Sequence, residues 1–198
     1  MESSSEEVPT RVETVTKPAI DGQKKRSWEE ATNEFRRVTD RLGHEIDHGV
    51  LETVVALNVL GVNTVQSCEG HLDHGTGAPY IDVAAKDTLE LEDRFYEMFG
   101  KEEMREEMER ISGEIARRNL TERAKLMELL GAFYDNRKAP YDRRLIVQSM
   151  GLGRSRIESQ GADLQEIAPP AVKQQRLGEY QEEMRAFTTF LKQRYFSR

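Results

Sequence analysis

Between Asp47 and Gly61 the chain carries a segment that is apolar on almost every side when wound as a helix. Val50, Leu51, Val54, Val55, Leu57, Val59 and Leu60 cover most of its circumference. Such a helix has to be enclosed by other elements, each of which needs only one apolar face. Asp47 supplies an N-cap and Gly61 a stop. Hydrophobic residues make up 37% of the 198 and charged residues 33%. That balance provides for one core and leaves helices exposed on several sides or a segment outside the fold.

Met1 to Arg26 mixes Ser, Glu, Lys, Pro and Thr without apolar periodicity and is expected to be a disordered tail. Residues 27–198 are expected to form a single domain. Ser27 is placed to cap a first helix, with Trp28, Phe35, Val38 and Leu42 near helical spacing and Gly43 at its end. Beyond Gly61, residues 63–67 and 80–84 read as strands, and 88–99 as a helix. Residues 101–136 read as one long or two abutting helices, rich in Glu and Arg at ion-pair spacing. Ile111, Ile115, Leu126, Leu129, Leu130 and Phe133 form their apolar stripe.

Residues 145–149 and 155–159 read as a hairpin joined through Gly151-Leu152-Gly153. A last helix over 171–195 has Leu177, Tyr180, Met184, Phe187, Phe190 and Leu191 on one face. The elements do not alternate as in a doubly wound fold. The expected class is therefore α+β: a small antiparallel sheet flanked by helices, with a long charged helical segment and a C-terminal helix.

All four histidines and the only cysteine fall between His44 and His74, in a window that includes Gln66-Ser67-Cys68-Glu69-Gly70-His71-Leu72-Asp73-His74-Gly75. Three readings of this loop stand open. In the first, Cys68, His71 and His74 bind a metal, with Asp73, Glu69, His44, His48 or water completing the set. In the second, Cys68 and His71 are catalytic, a thiolate with its proton partner, although Glu69 opposes a thiolate. In the third, Ser67, Glu69, Gly70 and His71 line a ligand pocket and Cys68 packs inside it. An ordinary structural turn is the plain alternative, and His44 and His48 suit a solvated helix junction.

A net charge of -7 argues against a general nucleic-acid clamp. The stretch from Arg137 to Arg156 is nevertheless basic, and Arg143, Arg144, Arg154 and Arg156 are available either to meet a phosphate or to pair with the abundant glutamates. No apolar run approaches the roughly 20 residues of a membrane span, and the acidic, Ser-rich start is unlike a secretory leader. One cysteine makes no internal disulfide, so a cytoplasmic location is expected.

Asp47, then Val50-Leu51-Glu52-Thr53-Val54-Val55-Ala56-Leu57-Asn58, then Thr64-Val65-Gln66-Ser67-Cys68-Glu69-Gly70-His71, resembles the N-terminal part of the wybutosine-synthesis tRNA methyltransferase family. There a helix ending in Leu-Asn leads through a Thr-bearing strand to Ser-Ser-Cys-x-Gly-Arg. This chain has Gln66 in place of the first Ser and His71 in place of the Arg. It is also similar to bacterial and phage proteins of unassigned function that share a Ser-Cys-x-Gly-His loop. The resemblance implies an α+β fold, a substrate site at this loop and S-adenosylmethionine-dependent chemistry on RNA; the residues alone name no cofactor. His71 replaces a permanently charged anion binder by a titrating imidazole, which moves the expectation away from the wyosine substrate. The expected function is a ligand-binding or catalytic pocket acting on a nucleotide or RNA. Its counterpart is a noncatalytic interaction protein that forms a homodimer or partner surface through its long helices.

Overall fold

A computed structural model of the chain describes residues 17–40 and 42–197. Among these it contains helices α1 (Lys17–Phe35), α2 (His48–Val59), α3 (Leu89–Met98), α4 (Arg105–Tyr134) and α5 (Pro170–Ser197). Strands β1 (Thr64–Cys68), β2 (Tyr80–Val83), β3 (Leu145–Ser149) and β4 (Ser155–Ser159) form one antiparallel sheet in the order β1-β2-β4-β3. The fold is α+β, and α4 is one continuous helix.

The apolar helix is at the centre. Val50, Val54, Val55, Ala56 and Leu57 of α2 are almost wholly buried, packed among α1, α5 and β1. At roughly 1.5–3 kcal/mol per buried aliphatic side chain, this helix organises the core. It stops as its glycine predicts. Gly61, at φ +85°, donates to the Asn58 carbonyl and Val62 donates to the Leu57 carbonyl, both at 2.9 Å, the two bonds of a Schellman motif.

The sheet has two unlike faces. Ile81 of β2, Ile157 of β4 and Leu145 of β3 turn into the core with Val83. The other face carries a row of directly paired residues, Cys68, Tyr80 and Glu158, and behind it Gln66, Asp82 and Arg156. Paired residues share a face, so register decides which side chains meet here.

The expected N-terminal tail is partly corrected. Residues 1–16 lie outside the described residues, but Lys17 to Arg26 already belong to α1, and Ser27 is inside the helix rather than at its start. Straight-chain residues such as Gln23, Lys24, Lys25 and Arg26 favour helix without any apolar period. Packing with α5 anchors them: Tyr195 donates its hydroxyl to the Lys24 carbonyl, and Trp28 packs against Tyr195 and Phe196. The helix also ends earlier than Gly43. Asp40 accepts the N–H groups of Leu42 and His44 at 2.8 Å, a local turn that competes with helix, and leaves Val38 and Leu42 exposed.

Candidate functional site

Residues 69–79 connect β1 to β2, and this connection is braced against α2 by a reciprocal exchange. Asp47 is the N-cap residue of α2, yet its side chain makes no capping bond to its own helix. Its Oδ2 instead accepts the Glu69 N–H at 2.9 Å, while Glu69 Oε2 accepts the Gly49 N–H at 2.6 Å. A carboxylate from the loop thus satisfies the helix N-terminus, and the freed Asp47 faces the loop. Gln181 of α5 donates to the Glu69 carbonyl, and Gln165 donates to the Gly77 carbonyl.

Gly70 is required by this packing. It sits at φ +83°, and a Cβ there would lie 2.7 Å from the Ala78 carbonyl carbon, 2.9 Å from the Pro79 nitrogen and 2.8 Å from Leu177 Cδ1. The tight bend returns the chain so that His71 donates its N–H to the Thr76 carbonyl at 2.8 Å. Asp47 Oδ2 is then 3.3 Å from His71 Nε2, and the ligand atoms of Asp47, Cys68 and His71 all lie within 4.8 Å of one another. His74 stacks on His71 with ring centroids 4.2 Å apart and pairs with Asp73 at 2.8 Å. The side chains of His71 and Asp47 keep 23% and 32% of their exposure, so the cluster is reachable from solvent.

Cys68 is half-buried. Burial pushes its thiol pKa up, the Asp47 charge adds to that, and the Gly70 N–H pointing at Sγ from 3.3 Å opposes it. A thiol held in this way is a weak nucleophile. Across the same sheet face, burial also raises Tyr80 and Glu158; the Arg156 guanidinium opposes both shifts, and Asp163 and Asp82 add to that of Glu158. Arg156 lies 3.7 Å over the Tyr80 ring and makes a two-bond pair with Asp82 at 2.7 and 2.9 Å, while Gln66 donates to the Tyr80 hydroxyl.

Of the residues singled out in the sequence, Cys68 and His71 come together with Asp47, whereas His74 groups with His71 and Asp73 and not with Cys68. Ser67 does not join them: it pairs with Ile81 and so points to the opposite side of the sheet from Cys68. The functional groups of Glu69 and the conformation of Gly70 are taken up by the fold. His44 pairs with Asp40, and His48 opens α2 on the surface. Arg143 pairs with Glu179 at 2.6 Å, Arg154 pairs with Glu92, and Arg144 stacks over Tyr134. Arg156, within β4, shares the face that Cys68 occupies.

Asp47, Tyr80, Asp82 and Glu158 are members of this constellation that sequence reasoning missed. Asp47 has a ready role as an N-cap, which conceals its reach into the loop 21 to 24 residues on. The alternation of β2 and β4 exposes the other three once the strand register is known.

No family model, curated protein or solved structure matches the chain, so the site is read from its own geometry. The cavity beside the loop, lined by Gly49, Glu69, Pro79, Gln181 and Arg185, has a volume of about 170 Å³. Among the described residues, no helix is long and apolar enough to cross a membrane.

Proposed function

We propose that this protein binds, and acts upon, a small polar ligand of the nucleotide or RNA-base class at the face where Asp47, Cys68 and His71 meet Tyr80, Arg156 and Glu158. The observation that carries this reading is the convergence of carboxylate, thiol and imidazole from two separate elements at a solvent-reachable point. The nucleotide class is supported by the sequence resemblance.

Equilibrium binding of ribonucleoside monophosphates and of bulk tRNA to the full chain tests it. C68S and H71A should abolish binding while leaving circular dichroism unchanged, and S67A should bind as the parent does. Equal binding by parent, C68S and H71A, or no binding by the parent, overturns the proposal.

A second reading, a homodimer or partner surface on the long helices, is favoured by Leu120 and Met127. These residues are exposed two turns apart on one side of α4. Sedimentation of the parent against L120E/M127E distinguishes a self-associating chain from a monomer.

A further inference from the structure

We infer that Asp47, Cys68 and His71 form a three-ligand site for a divalent transition metal of the zinc class, with its fourth position open to water or to the ligand. The inference rests on the reading of residues 69–79 as a functional connection and names the ion that this connection holds.

Three observations carry it. First, the donors are the right kind and number: one sulfur, one imidazole nitrogen and one carboxylate oxygen, within 4.8 Å of one another. That mixture selects zinc and its neighbours over magnesium or calcium, which take oxygen ligands. Second, one donor pair already has the spacing that a shared ion requires. Ligands held about 2.0–2.1 Å from a tetrahedral ion are separated by roughly 3.3 Å, and His71 Nε2 lies 3.3 Å from Asp47 Oδ2.

Third, the Asp47 and Cys68 donors are already oriented from behind, and His71 is held through its backbone. Glu69 N–H fixes Asp47 Oδ2, Gly70 N–H points at Cys68 Sγ, and the Thr76 carbonyl pins the His71 backbone. Metal centres need this outer layer of hydrogen bonds to hold their ligands in place.

Cys68 and Asp47 come from opposite sides of the reciprocal brace, so metal binding would tie the connection to α2 a second time. With the remaining exposure of His71 and Asp47, three protein ligands leave one coordination position facing outward. That is the arrangement of a reactive rather than a closed structural metal site.

Titration of the metal-free full chain with Co²⁺ tests this. One equivalent should produce a thiolate-to-cobalt charge-transfer band together with the intense visible bands of a tetrahedral ion. C68S should lose the charge-transfer band, and D47N and H71Q should each weaken binding more than about 100-fold, beyond the cost of disturbing an outer-layer bond. D47N keeps an oxygen acceptor for the Glu69 N–H, so its folding should survive; circular dichroism checks all three variants. Cobalt binding without the sulfur band, equal binding by the variants, or no stoichiometric binding overturns the inference.

Nucleotide binding measured with and without chelator separates the two proposals. Binding that persists in chelator and is lost in H71Q leaves the site standing without its metal. No binding under either condition removes the proposed ligand, whatever the cobalt result.

Discussion

Two connections in the same sheet join antiparallel strands, and they do so with very different means. Met150 to Arg154 links β3 to β4 with Gly151 at φ +80°, Leu152 at +45° and Gly153 at +75°. Backbone bonds from Met150 to the Arg154 carbonyl and from Arg154 to the Gly151 carbonyl, each 2.9 Å, close the turn. Buried Asn119 supports it from α4 by donating to the Leu152 carbonyl while accepting the Ala85 N–H. Residues 69–79 do the same topological work for β1 and β2 but carry Glu69, His71, Asp73 and His74 just past Cys68. The shorter connection turns the chain through Gly151, Leu152 and Gly153, whereas the longer one is held by the Glu69 carboxylate on α2. Of the residues it carries, Glu69 and His71 meet Asp47, whereas Asp73 and His74 are largely exposed, and it is on the first two that the proposed site rests.

The comparison can be broken first at its glycines. G70A and G153A both force a side chain into left-handed backbone and into neighbouring atoms, Ala78 and Pro79 for Gly70 and Ala116 for Gly153. Each should lower unfolding free energy by about 3 kcal/mol in urea titrations, from strain plus overpacking. Only G70A should also abolish metal binding; loss of cobalt in both would mean that general destabilisation, not the site, controls it.

Removing Asn119 comes next. N119A leaves the buried Ala85 N–H and the Leu152 carbonyl without their partner, and should cost about 1–3 kcal/mol with cobalt affinity intact. E69A should cost less in stability, about 1 kcal/mol for the lost acceptor at the start of α2. It should reduce cobalt affinity by about 10-fold through the loosened brace. An E69A protein with parental affinity would detach the brace from the site.

The smallest effect concerns Glu158, a residue only 6% exposed, whose charged form burial disfavours. Its raised pKa means that folding favours the protonated form. Stability from this group is full below the unfolded carboxylate range and is lost as pH rises through the folded value. E158Q should therefore be more stable than the parent at neutral pH, with the gain vanishing in acid. A gain independent of pH would refute that electrostatic account.

Much of the frame was legible in the chain. The β3–β4 hairpin and the enclosed helix α2 follow from alternation, glycines and apolar coverage, which are local signals. The start of α1 was not, because polar helix formers leave no apolar period and their support comes from Tyr195 and Phe196 at the far end of the sequence. At the site, Cys68 and His71 stood out by residue type. Ser67 was misplaced because a strand shows its two faces only when its partner and register are known. Asp47 was read for the local task of capping, and its second task exists only because Glu69 takes over the first. Long-range exchanges of that kind have no signature at a fixed sequence spacing.

X-ray absorption at the zinc edge, on the full chain loaded with one equivalent of Zn²⁺, tests the central claim most directly. The bound ion should show one sulfur scatterer at about 2.3 Å and nitrogen or oxygen neighbours at about 2.0–2.2 Å, with the sulfur shell absent in C68S. A first shell of oxygen and nitrogen alone in the parent protein would contradict it.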